Sequence, residues 1–252
     1  MENKKKSTGD LEYAIQIKNL NKSFGEKHVL SDFNLNVPNG KTYAVLGKSG
    51  SGKSVLIKCI IGLLKPDTGE IQIFENDVTH LKRDELDKVR MKTGFLFQSN
   101  ALYDSMTVRE NLEFPLRRHN LEKTKEEVDE LVEEALTNVG LANTKDVMPS
   151  ELSGGMKKRI ALARTLILKP KIVLYDEPTT GLDPITGKEI SHLMVSLREK
   201  YNMSTIVITH DLRCMKIVAD KIAMLINGTC YAIGTYEELE SSKDPNIKSF
   251  FI

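Results

Sequence analysis

The chain has 252 residues, 40% apolar and 28% charged, a balance that suits one large folded unit with a sizeable core and argues against a disordered chain or one buried in lipid. Lys and Arg total 36 against 35 Asp and Glu, a formal net charge of +1, so no general attraction to nucleic acid is implied and no nucleic-acid partner is expected. The three cysteines, Cys59, Cys214 and Cys230, are odd in number and lack the spacing of a metal knuckle, which reads as free thiols in a reducing compartment.

Residues 1–10 form a polar tail, expected to be disordered; their positive charge has no apolar run behind it, so they do not read as a secretory signal. Strand-like alternation follows at Ile15 and Ile17, then at Phe33, Leu35 and Val37. Pro38-Asn39-Gly40 is a turn, and Tyr43 to Leu46 is a strand that leads into a glycine-rich loop, GKSGSGKS, at 47–54. A helix is expected from within that loop to about Gly62, and a strand from Ile71 to Phe74. Phe95 to Phe97 is a short apolar strand ending at Gln98, after which the pattern turns helical to about residue 168. Thr107 with Glu110 and Thr124 with Glu127 are capping-box pairs. Lys171 to Tyr175 is an unbroken apolar strand of the kind buried in a parallel sheet, a helix follows from Pro184 to about Lys200, and Thr205 to Thr209 is a second buried strand ending at His210. The longest uncharged run, Ile222 to Tyr236, is interrupted by Asn227-Gly228 and reads as a hairpin, too short and too broken to span a membrane; a short helix and a tail over 242–252 close the chain.

GKSGSGKS matches Gly, four residues, Gly, Lys, then Ser or Thr, a pattern that arises by chance in about one chain of this length in a hundred. Gly47, Gly50 and Gly52 let the backbone curl, so that the N–H groups of Lys48, Ser49, Ser51 and their neighbours point inward at phosphate oxygens. Lys53 sets a cation on the outer phosphates, and Ser54 offers a hydroxyl to Mg²⁺. The segment 172–178 places Asp176 at a buried strand end, where a carboxylate holds Mg²⁺ through water, and Glu177 next to it, where a base polarises the attacking water. Gln98 and His210 end two other strands, suiting contacts to Mg²⁺ or the attacking water and to the γ-phosphate respectively. In LSGGMKKR, residues 152–159, Ser153 can cap a helix whose open N–H groups at Gly154 and Gly155 make a second anion site.

In order and approximate spacing, the phosphate loop, Gln98, LSGGMKKR, LYDEP, GLDP at 181–184 and His210 resemble the ATP-binding cassette (ABC) family over roughly residues 12–240. That resemblance implies an α/β fold: a P-loop NTPase core with a mixed sheet, an N-terminal antiparallel β subdomain and an inserted α-helical subdomain. The domain is expected over 11–241, with the insertion at about 99–168. It implies an ATPase with ATP and Mg²⁺ as cofactors, working as a head-to-tail homodimer in which Ser153 to Gly155 of one subunit face the γ-phosphate held by the other. Asp183 would couple the two sites, and Phe24 would stack on adenine.

The phrases LFQSNALYDSMTVRENLEFPLRRH, LSGGMKKRIALAR and DEPTTGLDPIT, with Met156 where most ABC importers have Gln, resemble the Mla/Mce branch, as does the closing DPNIKSFFI. Asn100 departs from that branch's pattern, which has Gly there. The branch implies phospholipid traffic, an integral membrane permease, a periplasmic Mce-type lipid-binding protein, an optional small regulatory subunit, and a peripheral place on the cytoplasmic face of the inner membrane. The permease's coupling helix would dock near Ser99 to Leu116. The alternatives are an ABC ATPase for another cargo, such as an amino acid or a lipoprotein, and a non-transport ABC ATPase acting on DNA or ribosomes. The last usually needs a long coiled-coil insertion or tandem cassettes, and neither is present.

Overall fold

Residues 12–119 and 123–251 of this computed structural model are described below, and the polar tail expected over 1–10 lies outside them. Two sheets carry the described chain. The first is antiparallel: β1 (Tyr13–Phe24) and β2 (Lys27–Pro38) form a long hairpin, and β3 (Thr42–Leu46) then enters the second sheet. After α1 (Lys53–Ile60), β4 (Thr68–Ile73) and the two-residue β5 (Asn76–Asp77) complete the first sheet in the order β2-β1-β4-β5. Next come α2 (Arg83–Met91), β6 (Thr93–Leu96), α3 (Val108–Arg118), α4 (Lys125–Asn138), α5 (Gly154–Leu166), β7 (Ile172–Asp176), α6 (Pro184–Tyr201) and β8 (Ser204–Ile208). The chain closes with α7 (Leu212–Val218), β9 (Lys221–Ile226), β10 (Thr229–Gly234), α8 (Tyr236–Glu240) and α9 (Pro245–Lys248).

The second sheet has the order β10-β9-β3-β8-β7-β6, parallel except for β10, which turns back on β9 through Asn227-Gly228. Strands buried on both faces need apolar residues in both parities, and these have them. In β7, Ile172 and Leu174 join a cluster with Leu56, Ile57 and Ile60 of α1, while Val173 and Tyr175 face Ile160 and Leu162 of α5 and Ile190 of α6. β8 does the same with Ile206 and Ile208 on one side and Val207 on the other. α1 is therefore packed between the two sheets, and α3, α4 and α5 share the core on the opposite face of the parallel sheet.

Both capping boxes read from the sequence are made, Thr107 and Thr124 each accepting from the amide three residues on. Arg109 ties α3 to α4 through Glu113 on its own helix and Asp129 on the next. β1 and β2 are longer than the alternation predicts, 12 residues each, because register shifts along their pairing break the period-two pattern. The segment 242–252 carries α9, whose Ile247 is buried with Leu239, Met215 and Leu46.

Candidate active site

β3, β8, β7 and β6 lie side by side and run the same way, so their C-terminal ends open on one edge. The phosphate loop leaves β3, His210 follows β8, Asp176 ends β7 with Glu177 directly after it, and Gln98 follows β6. Ligands of open α/β sheets sit at such an edge.

The loop is a built cradle. Gly50 and Gly52 have φ of 76° and 106°, and a Cβ at Gly52 would come within 2.9 Å of the Val29 carbonyl. Lys53 is buried, and its Nζ donates to the carbonyls of Gly47 at 2.7 Å and Lys48 at 3.2 Å. Burial pushes the Lys53 ammonium below its ordinary pKa, and the nearby Glu177 and Asp176 carboxylates oppose that shift. The buried Ser51 Oγ has no hydrogen-bond partner within the protein, which suits a hydroxyl that meets a bound phosphate. Ser54 stands exposed in the first turn of α1, whose N-terminus favours anions. These features fit a nucleoside triphosphate, and the hydroxyl of Ser54 with the carboxylate of Asp176 are the hard oxygen donors that Mg²⁺ prefers. Among the described residues no group of three His, Cys, Asp or Glu forms a metal cluster. A Mg²⁺ ion held by one or two side chains plus phosphates needs none.

Burial, reinforced by Glu177, raises the Asp176 pKa above the ordinary carboxylate value; Lys58 and Lys53 pull it down. Glu177 has a left-handed backbone, φ 50°, and its N–H donates to the Ile208 carbonyl at 2.8 Å. Its carboxylate accepts from Thr180 Oγ1 and Thr209 Oγ1, each at 3.2 Å, and His210 Nδ1 lies 3.0 Å from Oε1. The contact is a hydrogen bond from His210 to Glu177 in the tautomer that carries its proton on Nδ1. The sequence reading missed Thr180 and Thr209 as the groups that hold Glu177, although each lies within three residues of a residue it named.

The structure thus joins Lys53, Asp176, Glu177 and His210 into one electrostatic cluster. Phe24, Gln98, Ser153 to Gly155 and Asp183 make their contacts elsewhere. Phe24 ends β1 with 51% of its surface free and Lys22 Nζ 5.5 Å from its ring centroid, so it is no core residue. Gln98 is exposed, and its carbonyl accepts from the buried Lys158 Nζ at 3.3 Å. Ser153 caps α5 by accepting from the Met156 amide, and a Cβ at Gly155 would strike Thr186 at 2.8 Å. That places the signature motif, LSGGMKKR at 152–159, against the start of α6, which Asp183 caps by accepting from Ile185 and Thr186. Those hydrogen bonds, the one from the Thr186 hydroxyl foremost, hold the Asp183 carboxyl below its ordinary pKa.

A phosphate cradle on a parallel strand, a carboxylate pair on a neighbouring strand and a glycine-opened helix define an ATP-binding cassette. The family model described as ABC transporter matches residues 30–180, and the chain belongs to that family as an ATP-hydrolysing subunit that uses ATP with Mg²⁺. Among its relatives, the intermembrane phospholipid transport system ATP-binding protein MlaF of Haemophilus influenzae is 39% identical over 94% of this chain and 89% of that protein. The probable ribonucleotide transport ATP-binding protein mkl of Mycobacterium leprae is also 39% identical over 94% of this chain, which spans 68% of that longer protein. The methionine import ATP-binding protein MetN 1 of Bacillus cereus is 39% identical over 89% of this chain and 66% of its own length. The solved structure of cbiO1 from Clostridium perfringens superposes with a TM-score of 0.85 at 30% identity, covering 92% of both chains. The dimeric cassette MJ0796 bound to ADP and Pi gives 0.79 at 34% identity, over 88% of this chain and 98% of that one.

Proposed function

We propose that this chain is the ATPase of a transporter that moves phospholipid through the envelope of a double-membraned bacterium. The observation that supports the reading is the likeness to MlaF, 39% identical over 94% of this chain. The LSGGMKKR motif, with Met156 in place of Gln, agrees with it. Among the described residues no helix is long and apolar enough to cross a membrane, and the reading gives the cargo path to partners. These are an integral membrane permease and a periplasmic Mce-type lipid-binding protein, with the ATPase peripheral on the cytoplasmic face. Residues 11–241 are read as one ATPase domain whose helical insertion spans about 99–168.

In this reading two copies close head to tail on two ATP molecules. Lys53 and the loop amides hold the phosphates, and Ser54, Asp176 and Gln98 hold Mg²⁺. Glu177 takes a proton from the attacking water, and His210 is poised beside it for the γ-phosphate. Ser153 to Gly155 complete the partner's site, Asp183 lies at the junction, and Phe24 stacks on adenine. Phe97 and Tyr103, each 42% exposed beside Gln98, offer apolar contacts to a permease coupling helix.

Affinity purification of the tagged protein from membranes tests the cargo. An Mce-domain protein in the complex is the expected result. A lone amino-acid permease would instead favour the import reading that the equal identity to MetN 1 supports.

A further inference from the structure

The closing segment of the chain is anchored from several sides. Asp244 accepts from the Tyr231 hydroxyl at 2.7 Å and caps α9 through the Asn246 amide at 2.8 Å. Ile247 is buried in the cluster that contains Leu46, the residue immediately before the phosphate loop. Phe251 packs edge-on against Tyr236, with ring centroids 5.5 Å apart. These contacts bring Phe250 up to the phosphate loop, where Lys48 Nζ lies 5.8 Å from its ring centroid.

A cavity of about 390 Å³ opens at that contact. Its walls are Lys27 to Val29, just past Phe24, then Lys48 to Ser51, then Leu225 to Gly228 at the β9–β10 turn, and finally Asn246, Ser249 and Phe250. Neither Lys53 nor Ser54 lines it. Lys53 and Ser54 follow the Lys48 to Ser51 wall directly in the chain, so the space is open to the nucleoside of a nucleotide whose outer phosphates lie on them. The Asn246 side-chain NH2 donates to the Tyr231 hydroxyl at 3.1 Å, which leaves its Oδ1 to accept from a ligand, and the exposed Ser249 hydroxyl donates to the Asn246 backbone carbonyl of its own turn at 2.9 Å.

We propose that the segment Asp244–Phe251 is a wall of the nucleotide site: Phe250 steadies Lys48, Asn246 and Ser249 face the nucleoside, and nucleotide binding and docking of this segment reinforce each other. This rests on the reading of 47–54 as the ATP phosphate loop. The test measures binding of ATP, ADP and inorganic tripolyphosphate with Mg²⁺ to the full chain, and to Phe250→Ala, Phe250→Leu and Asn246→Ala/Ser249→Ala variants, with Lys53→Ala as control. Phe250→Leu keeps apolar bulk and removes only the ring, so it guards against loss of folding. Each wall variant should weaken ATP and ADP binding roughly three- to tenfold, the effect of a cation–ring contact or a hydrogen bond or two. Tripolyphosphate, which has no nucleoside, should bind the Asn246→Ala/Ser249→Ala variant as it binds the parent; the Phe250 variants, which also release Lys48 of the phosphate loop, are read on ATP and ADP. Amide exchange over 244–251 should slow when ADP is added. Unchanged ATP affinity in all three variants, with unchanged exchange, while Lys53→Ala loses binding, overturns the wall. If the parent chain fails to bind ATP at all, the nucleotide reading falls and the wall falls with it.

Discussion

Glu177 combines a backbone angle that side chains avoid with three side-chain contacts that hold its carboxylate still. A left-handed residue at such a site costs on the order of 1–3 kcal/mol, which the surrounding structure must over-determine. The return is a carboxylate already aimed. Glu177→Gln is isosteric and keeps the cradle, so ATP should still bind while turnover falls by ~10²–10⁴-fold, the range for loss of a general base. Steady-state hydrolysis measured beside nucleotide binding checks this, and near-normal turnover removes Glu177 from the role. Lys53→Ala acts on the other side of the site and should weaken nucleotide affinity itself, as an equilibrium titration would show. At Asn100 the branch pattern's Gly finds its reason in the backbone: φ is 64°, a value Asn tolerates better than any residue but Gly. Asn100→Gly should therefore leave stability nearly unchanged, and Asn100→Val should cost about 1–2 kcal/mol in a denaturant melt.

At the scale of elements, α5 holds the chain that follows β6. Lys158 is buried, and the partner the structure gives its ammonium is the Gln98 carbonyl. One helical face further on, the Arg164 guanidinium donates to the carbonyls of Asn100 and Ala101 at 3.2 and 2.7 Å. Two cations of the signature helix thus grip the loop that carries Gln98. Burial lowers the pKa of both, so the arrangement costs stability and serves position. Lys158→Met keeps the length and removes the charge. Its melting temperature should match or exceed that of the parent, because exchanging a buried ion for an apolar side chain is often neutral or stabilising. Its ATP turnover should fall as Gln98 loses its tether. A large drop in stability with full turnover would show that Lys158 is structural only.

At the scale of the molecule, Gly154 lies beside Leu182 and Gly155 against Thr186 at the start of α6, and in the head-to-tail reading they serve the phosphate loop of the partner. A single subunit then lacks the donors its partner brings, and removal of one preorganised donor costs ~2.7–4 kcal/mol of transition-state stabilisation. Specific ATPase activity should rise with protein concentration and be nearly absent in dilute monomer. Concentration-independent turnover from strictly monomeric protein would mean that each chain holds a complete site.

Short-range chemistry was open to reading from residue order alone. The phosphate loop needs glycines, a lysine and a serine at set spacing, the capping boxes need Thr and Glu three apart, and the buried strands need unbroken apolar runs; each is a local requirement with a local signature. Some elements were not readable. α2 turns only Leu86 and Val89 to the core, too few to show a period, and α7 is likewise too short. Only the sheet order put the ends of β3, β8, β7 and β6 side by side, because strand pairing joins residues as far apart as Val45 and Ile208. Burial of Lys158 and the seating of Phe250 on Lys48 were decided the same way, by which surfaces the core brings together. What residue order determined is the chemistry of a phosphate-binding, metal-assisted hydrolase. The tertiary structure decided which distant groups share one edge of the sheet, since non-local contact depends on packing and leaves no periodic trace in the chain.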